Sequence, residues 1–223
     1  MIELKNINKF YFTEDDKFQA LKGINLKINK GDFLAIVGPS GSGKSTLIKI
    51  LGLLDMNFDG EYLFLNEDIT AFDDDKLSKF RNKKIGFVFQ DFNLIKRLSV
   101  KENIELPMLC GGSTIKDCKI RVRELLRKIN LESKTSKYPT ELSGGQQQRI
   151  SIARALINNP DIIIADEPTG ALDSKTAKEI MNIFKELNKE GITIILITHD
   201  INIAKQASKI VSIFDGEIFE GGI

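Results

Sequence analysis

The chain has 223 residues, 42% of them hydrophobic, with 32 basic against 31 acidic side chains and a net charge of +1. That length and apolar content suit one large domain, or one domain with an inserted lobe, around a sizeable core. The balanced charge leaves no electrostatic footprint for nucleic acid, so DNA or RNA is not expected as the main partner.

Ile2, Leu4 and Ile7 among polar neighbours predict a first strand. Phe10-Tyr11-Phe12 follows, then the polar stretch Thr13-Glu14-Asp15-Asp16-Lys17, a hairpin or loop. The aromatic trio reads first as the core face of a hairpin. Its sharper reading is a stacking platform for a purine. Leu21, Ile24, Leu26 and Ile28 predict a second strand, at an exposed edge. Asn29-Lys30-Gly31-Asp32 turns into Phe33-Leu34-Ala35-Ile36-Val37, a short and fully buried strand.

Gly38-Pro39-Ser40-Gly41-Ser42-Gly43-Lys44-Ser45-Thr46 fits the P-loop pattern G-x-x-x-x-G-K-[ST]. It lies between that strand and an apolar helical pattern opening at Thr46, which is the context the motif needs. Glycines let the backbone bend round a phosphate with several N–H groups turned inward. The helix that follows adds the positive end of its dipole. In such a loop Lys44 reaches the terminal phosphates and the Ser45 hydroxyl binds Mg²⁺.

Downstream, Asp59-Gly60 begins a strand over Glu61–Leu65, and Asp73-Asp74-Asp75 caps a polar helix running toward Arg81. Ile85–Phe89 is another buried strand, with Gln90 at its C-terminal end. Ligands of open α/β sheets sit outside that end, so Gln90 is placed to touch a metal or a water. Residues 91 to 156 then change character. Helical patterns at Val100–Leu109, Ile115–Ile129 and Gly144–Ile157 replace the strands, divided by Pro107, Gly111-Gly112 and Pro139. Ser143, Gly144, Gly145 and Gln146 open the last of them, a second helix start suited to an anion.

Asp161–Glu167 is a buried strand ending in two carboxylates. Paired acids there call for a cation, and nucleotide-bound Mg²⁺ held by Asp166 supplies it. Glu167 is then free to act on a water. Pro168–Asp173 turns into an amphipathic helix over 174–190. Ile192–Thr198 is the last strong buried strand. It ends at His199, the one histidine in the chain, which stands where a site residue would. Ile210–Phe214 and Glu217–Phe219 around Asp215-Gly216 predict a closing hairpin. Cys110 and Cys118 make no metal-ligand spacing or disulfide framework. No apolar run reaches the ~18–20 residues of a bilayer span, and the N-terminus is no signal peptide. A cytoplasmic chain is expected, linked to a membrane only through a partner.

Taken together, the P-loop, Gln90, Leu142-Ser143-Gly144-Gly145-Gln146, Asp166-Glu167, Asp173 and His199 resemble the nucleotide-binding subunit of ABC transporters, essentially end to end. The resemblance implies an α/β fold: a P-loop NTPase core sheet, an antiparallel β subdomain and an inserted α-helical subdomain. It makes 1–223 one ABC ATPase domain, with 1–90 and 157–223 as core and 91–156 as helical subdomain. It implies ATP and Mg²⁺ as cofactors, with Ser45, Gln90 and Asp166 toward the metal. Glu167 corresponds to the catalytic glutamate, His199 to the switch histidine and Gln90 to the γ-phosphate sensor. Asp173 falls in the D-loop, and Tyr11 falls where adenine stacks. Ser143 and Gly145 imply a head-to-tail homodimer in which each chain covers the ATP of the other. Gly86–Ile95 and Asp166–Ser174 look typical of the MacB/LolD-like branch. That implies an integral membrane permease as partner, an extracytoplasmic adaptor in many members, and export of antibiotics or peptides. Two alternatives share these motifs: a force-transmitting ATPase that transports nothing, and a soluble ABC ATPase acting on nucleic acid or ribosomes.

Overall fold

The computed structural model describes residues 1–12 and 16–221. Thr13, Glu14 and Asp15, the middle of the polar stretch after the aromatic trio, lie outside them. The strands are β1 (Ile2–Phe12), β2 (Lys17–Ile28), β3 (Phe33–Val37), β4 (Asp59–Phe64), β5 (Glu67–Asp68), β6 (Ile85–Phe89), β7 (Ile162–Asp166), β8 (Thr193–Ile197), β9 (Lys209–Phe214) and β10 (Glu217–Glu220). The helices are α1 (Lys44–Leu51), α2 (Asp74–Lys84), α3 (Val100–Cys110), α4 (Ile115–Lys128), α5 (Gly144–Leu156), α6 (Ser174–Lys189) and α7 (Ile201–Ala204).

Among the described residues the strands form two sheets. An antiparallel sheet runs β2-β1-β4-β5, and a second sheet runs β10-β9-β3-β8-β7-β6. In the second, β9, β3, β8, β7 and β6 pair in parallel, and β10 closes the edge antiparallel to β9. Parallel neighbours need crossovers, and the helices supply them. Successive side chains of β7 and β8 point to opposite faces, so both faces must be covered. Ile162, Ile164, Ile195 and Ile197 enter one core with the inner face of the antiparallel sheet and α1. Ile163, Ala165, Ile194 and Leu196 enter another, built with α3, α4, α5 and α6. The helices of residues 91–156 thus share one continuous core with a face of the parallel sheet.

Side-chain caps start every described α-helix except α1, whose N-cap is Gly43. Ser99 with Glu102, Thr114 with Asp117 and Ser143 with Gln146 form reciprocal capping boxes on α3, α4 and α5. Asp73, Asp173 and Asp200 cap α2, α6 and α7. Two expectations are corrected. Pro107 does not divide helices: it lies inside α3, four residues before the Gly111 C-cap. So near the end of the helix its missing N–H removes a single bond, to Asn103 O. The second strand begins at Lys17 rather than Leu21, because Lys17, Phe18 and Gln19 pair with Phe12, Tyr11 and Phe10.

A buried ion pair ties β1 to the loop after α1. Lys9 Nζ lies 2.8 Å from Asp55 and donates to Asn57 O at 2.5 Å, and Lys9 is 3% exposed. Breaking such a pair strands a charge, whereas apolar replacement of both partners is far milder. Asp55→Ala should therefore cost about 3 kcal/mol and lower the thermal midpoint by on the order of 10 °C. The Lys9→Met, Asp55→Leu double variant should recover most of that loss in the same melting experiment.

Candidate active site

Parallel pairing places the C-terminal ends of β3, β8, β7 and β6 along one sheet edge. Each end carries a residue already singled out: the P-loop after Val37, His199 after β8, Asp166 and Glu167 at β7, and Gln90 after β6. A cavity of about 740 Å³ opens there. Its lining includes Tyr11, Gly38, Pro39, Ser40, Gly41, Gly43, Lys44, Ser45, Thr46, Gln90, Asp166, Glu167 and His199.

The loop hugs the sheet because two of its glycines leave no room for a side chain. A Cβ on Gly38 would fall 2.2 Å from Ile213 O. Gly43, at φ 106°, would bring one within 2.7 Å of Ala20 O. The first intrahelical bond of α1 runs from Leu47 N–H to Gly43 O at 2.9 Å. The amides of Lys44, Ser45 and Thr46 precede it and belong to the donor end of the helix. Lys44 Nζ donates to Gly38 O at 2.8 Å and to Pro39 O at 2.6 Å. Burial lowers the Lys44 pKa, and Glu167 and Asp166 partly restore it. Its cation is thus held in a desolvated place facing two carboxylates, where a phosphate oxygen is a strong partner.

Burial raises the Asp166 pKa, and the neighbouring Glu167 charge adds to the rise. Glu167 sits at φ 46°, in the left-handed region, and four contacts hold it. Its N–H donates to Ile197 O at 2.9 Å. Its carboxylate accepts from Thr198 Oγ1 at 3.2 Å and from His199 N–H at 2.9 Å, and lies 2.7 Å from His199 Nδ1. The His199 ring is 75% exposed, so Glu167 is anchored from below and reachable from the cavity. Asp166, Ser45 and Gln90 all line the cavity and offer it oxygen ligands. A hard cation that keeps waters and takes phosphate oxygens fits that set, and it relieves the like charges of Asp166 and Glu167.

Tyr11 lines the cavity beside the P-loop. It is 38% exposed, and its hydroxyl lies 3.4 Å from Thr46 Oγ1. Of the aromatic trio, Tyr11 lines the cavity, and Phe10 and Phe12 do not. Phe18, Ala20 and Ile197 do line it, and sequence reading missed them. Phe18 is the cross-strand partner of Tyr11, a pairing that only the hairpin register reveals. Ser42 lies beneath the loop, 4% exposed. Ser143, Gly144, Gly145, Gln146 and Asp173 are absent from the lining. Ser143 and Gln146 cap α5, and Asp173 caps α6 through Lys175 N–H, Thr176 N–H and Thr176 Oγ1.

Comparison with known proteins agrees with this geometry. The profile of the family described as ABC transporter matches residues 21–170. The ABC transporter ATP-binding protein MJ0796 of Methanocaldococcus jannaschii is 49% identical over 98% of this chain and 95% of its own. The macrolide export ATP-binding/permease protein MacB of Shigella flexneri is 47% identical over 98% of this chain, which spans 34% of MacB. The dimeric structure of MJ0796 in a post-hydrolysis state, bound to ADP and Pi, superposes with a TM-score of 0.89 over 100% of both chains at 46% identity. A P-loop cleft at the ends of four parallel strands, on a chain with such relatives, has one reading: the chain belongs to the ABC transporter family, as an ATP-binding subunit that hydrolyses ATP.

Proposed function

We propose that this ATPase drives a membrane permease of the MacB-like export type, and that two copies share their ATP sites. The observation that carries the shared site is a separation. Lys44, Asp166, Glu167 and His199 line one cavity, while the Ser143–Gln146 helix start lies outside it. A second chain, turned head to tail, would bring its Ser143 and Gly145 over the terminal phosphate. The dimer named in the MJ0796 structure supports this reading. Support for export comes from the MacB relatives, in which ATP-binding and permease parts share one protein. The permease partner of this chain is proposed whether it is joined to it or separate. A cytoplasmic face of the membrane follows from that partner. Among the described residues, no helix is long and apolar enough to cross a membrane.

In this reading Ser45, Asp166 and Gln90 would hold Mg²⁺, and the ion would supply charge stabilisation when bound. Lys44 and the loop amides cradle the phosphates. Glu167 accepts the proton of the attacking water, oriented by Thr198 and His199, and Tyr11 stacks on adenine. Differential binding then sets the cycle: the γ-phosphate favours the closed pair, and its loss releases it.

Glu167→Gln should stop turnover while keeping the shape of the site. ATP, but not ADP, should convert the variant to a stable dimer, read by light scattering after size exclusion. Hydrolysis at the parent rate would remove Glu167 from its role. An inactive, ATP-bound monomer at high concentration would overturn the shared site. Asp166→Asn should lose Mg²⁺-dependent binding as well. The raised Asp166 pKa means that its charged form opposes folding, so stability is lost as pH rises through its titration. Without nucleotide, Asp166→Asn should therefore melt higher than the parent at neutral pH, with the gap closing in acid.

Tyr11→Ala should weaken ATP binding by on the order of 1–3 kcal/mol in titration calorimetry, with Phe12→Ala near the parent value.

The permease seat is proposed beside the Gln90 loop, over a cavity of about 390 Å³ between α2, β6 and α3. Leu54 on its rim is 50% exposed and Ile95 nearby in sequence is 43% exposed, whereas Leu94 packs into the core. Leu54→Glu should leave ATP binding and dimerisation intact and abolish co-purification with the permease. Unchanged co-purification would move the seat elsewhere.

A further inference from the structure

We infer that Gln148 is a positioning residue that couples the two ATP sites, carrying engagement of the α5 start to Gln90 and Glu167 of its own chain. The inference rests on the shared-site reading above. Gln148 does not line the cavity. It lies on α5, five residues after Ser143, and is 0% exposed. Its Nε2 donates to Pro168 O at 2.6 Å and to Phe89 O at 3.3 Å. Phe89 immediately precedes Gln90, and Pro168 immediately follows Glu167. One amide nitrogen therefore bridges the ends of β6 and β7 through the neighbours of the two residues assigned to sensing and to catalysis.

The same helix grips the Gln90 loop a second time. Arg154 donates to Phe92 O at 2.9 Å and to Asn93 O at 2.5 Å. Phe92 and Asn93 sit at φ 60° and 48°, so this grip holds a turn in the left-handed region. At its other end α5 is seated without slack: a Cβ on Gly145 would fall 2.4 Å from Thr176 Cγ2. A helix is stiff over the roughly 7.5 Å from Ser143 to Gln148. A shift at its start, where the opposite ATP would press, must move the carbonyls that Gln148 and Arg154 hold.

A packing role alone does not account for Gln148. Only the nitrogen of its amide can serve two carbonyl acceptors, which sets its orientation. That orientation leaves Oε1 buried with no hydrogen-bond partner among the described residues. An unmade buried hydrogen bond is unfavourable, and an apolar side chain of the same length would avoid it. The fold retains the amide at the junction of three elements, where its contacts hold both site loops to one helix.

The test uses the full chain with Mg²⁺ and ATP. Gln148→Met keeps length and volume and removes both donors. It should bind ATP within about twofold of the parent, while kcat falls between about tenfold and a hundredfold. The Hill coefficient for ATP hydrolysis should fall from near 2 to near 1. Gln148→Asn, which keeps the amide but is too short to span both carbonyls, gives the same readout if the Met variant folds poorly. Parent-like kcat and cooperativity in a folded variant, or a loss of ATP affinity in step with a loss of stability, would overturn the inference alone. A parent chain that hydrolyses ATP without cooperativity, and whose Glu167→Gln variant never dimerises, would overturn the shared site and this inference together.

Discussion

Parallel pairing of β3, β8, β7 and β6 is the constraint on which the site depends. Strands that run the same way finish at the same edge, so whatever follows each strand is delivered to one place. The chain uses four such finishes. Residues 38–41, 43–46, 90, 166–167 and 199 are far apart in sequence and line one cavity. The isoleucine-rich runs of β7 and β8 enforce this pairing, because a strand apolar on both faces is stable only inside a sandwich of covering elements. The core and the chemistry are therefore one arrangement.

The price of that arrangement is concentrated charge at a desolvated edge. Lys44 is pushed toward neutrality by burial, and Asp166 is pushed toward its protonated form. Each is the other's partial remedy. The same logic explains the left-handed Glu167. Its backbone leaves the strand sharply, and Thr198 and His199 secure its carboxylate, so that carboxylate is held in place while His199 stays exposed to solvent. Binding is thus built from groups whose free states are unfavourable, which makes the site respond strongly to nucleotide.

The helical layer connects this edge to the rest of the molecule. α5 begins at the Ser143 cap, passes under the ends of β6 and β7, and leaves by Arg154 beside the Gln90 loop. α3 and α4 complete the core around it. The layer shares its hydrophobic cluster with one face of the parallel sheet, so a load applied at the Gln90 loop and one applied at the α5 start meet in the same packed body. That is the physical setting in which the proposed permease seat and the proposed shared ATP would influence one edge of the sheet.

Much of this was legible in the sequence. The P-loop pattern is local: a strand, a glycine turn and a helix in sequence are enough to recognise it. The buried strands 85–89 and 193–197 announced themselves by unbroken apolar runs, and the helices by caps such as Ser143 and Asp173. Gln90, Asp166, Glu167 and His199 stood out because each ends a strand. What only tertiary structure decided is which residues meet across long separations. Phe18 faces the nucleotide cleft because of the β1–β2 register, and neither its hydrophobicity nor its neighbours encode that pairing. Pro107 stays helical because α3 runs only a few residues beyond it. The sequence alone assigned Gln148 no role, and packing alone buried it against Phe89 and Pro168. Sequence carries local geometry and periodicity; register, burial and the partners of a buried amide arise only when distant elements close on one another.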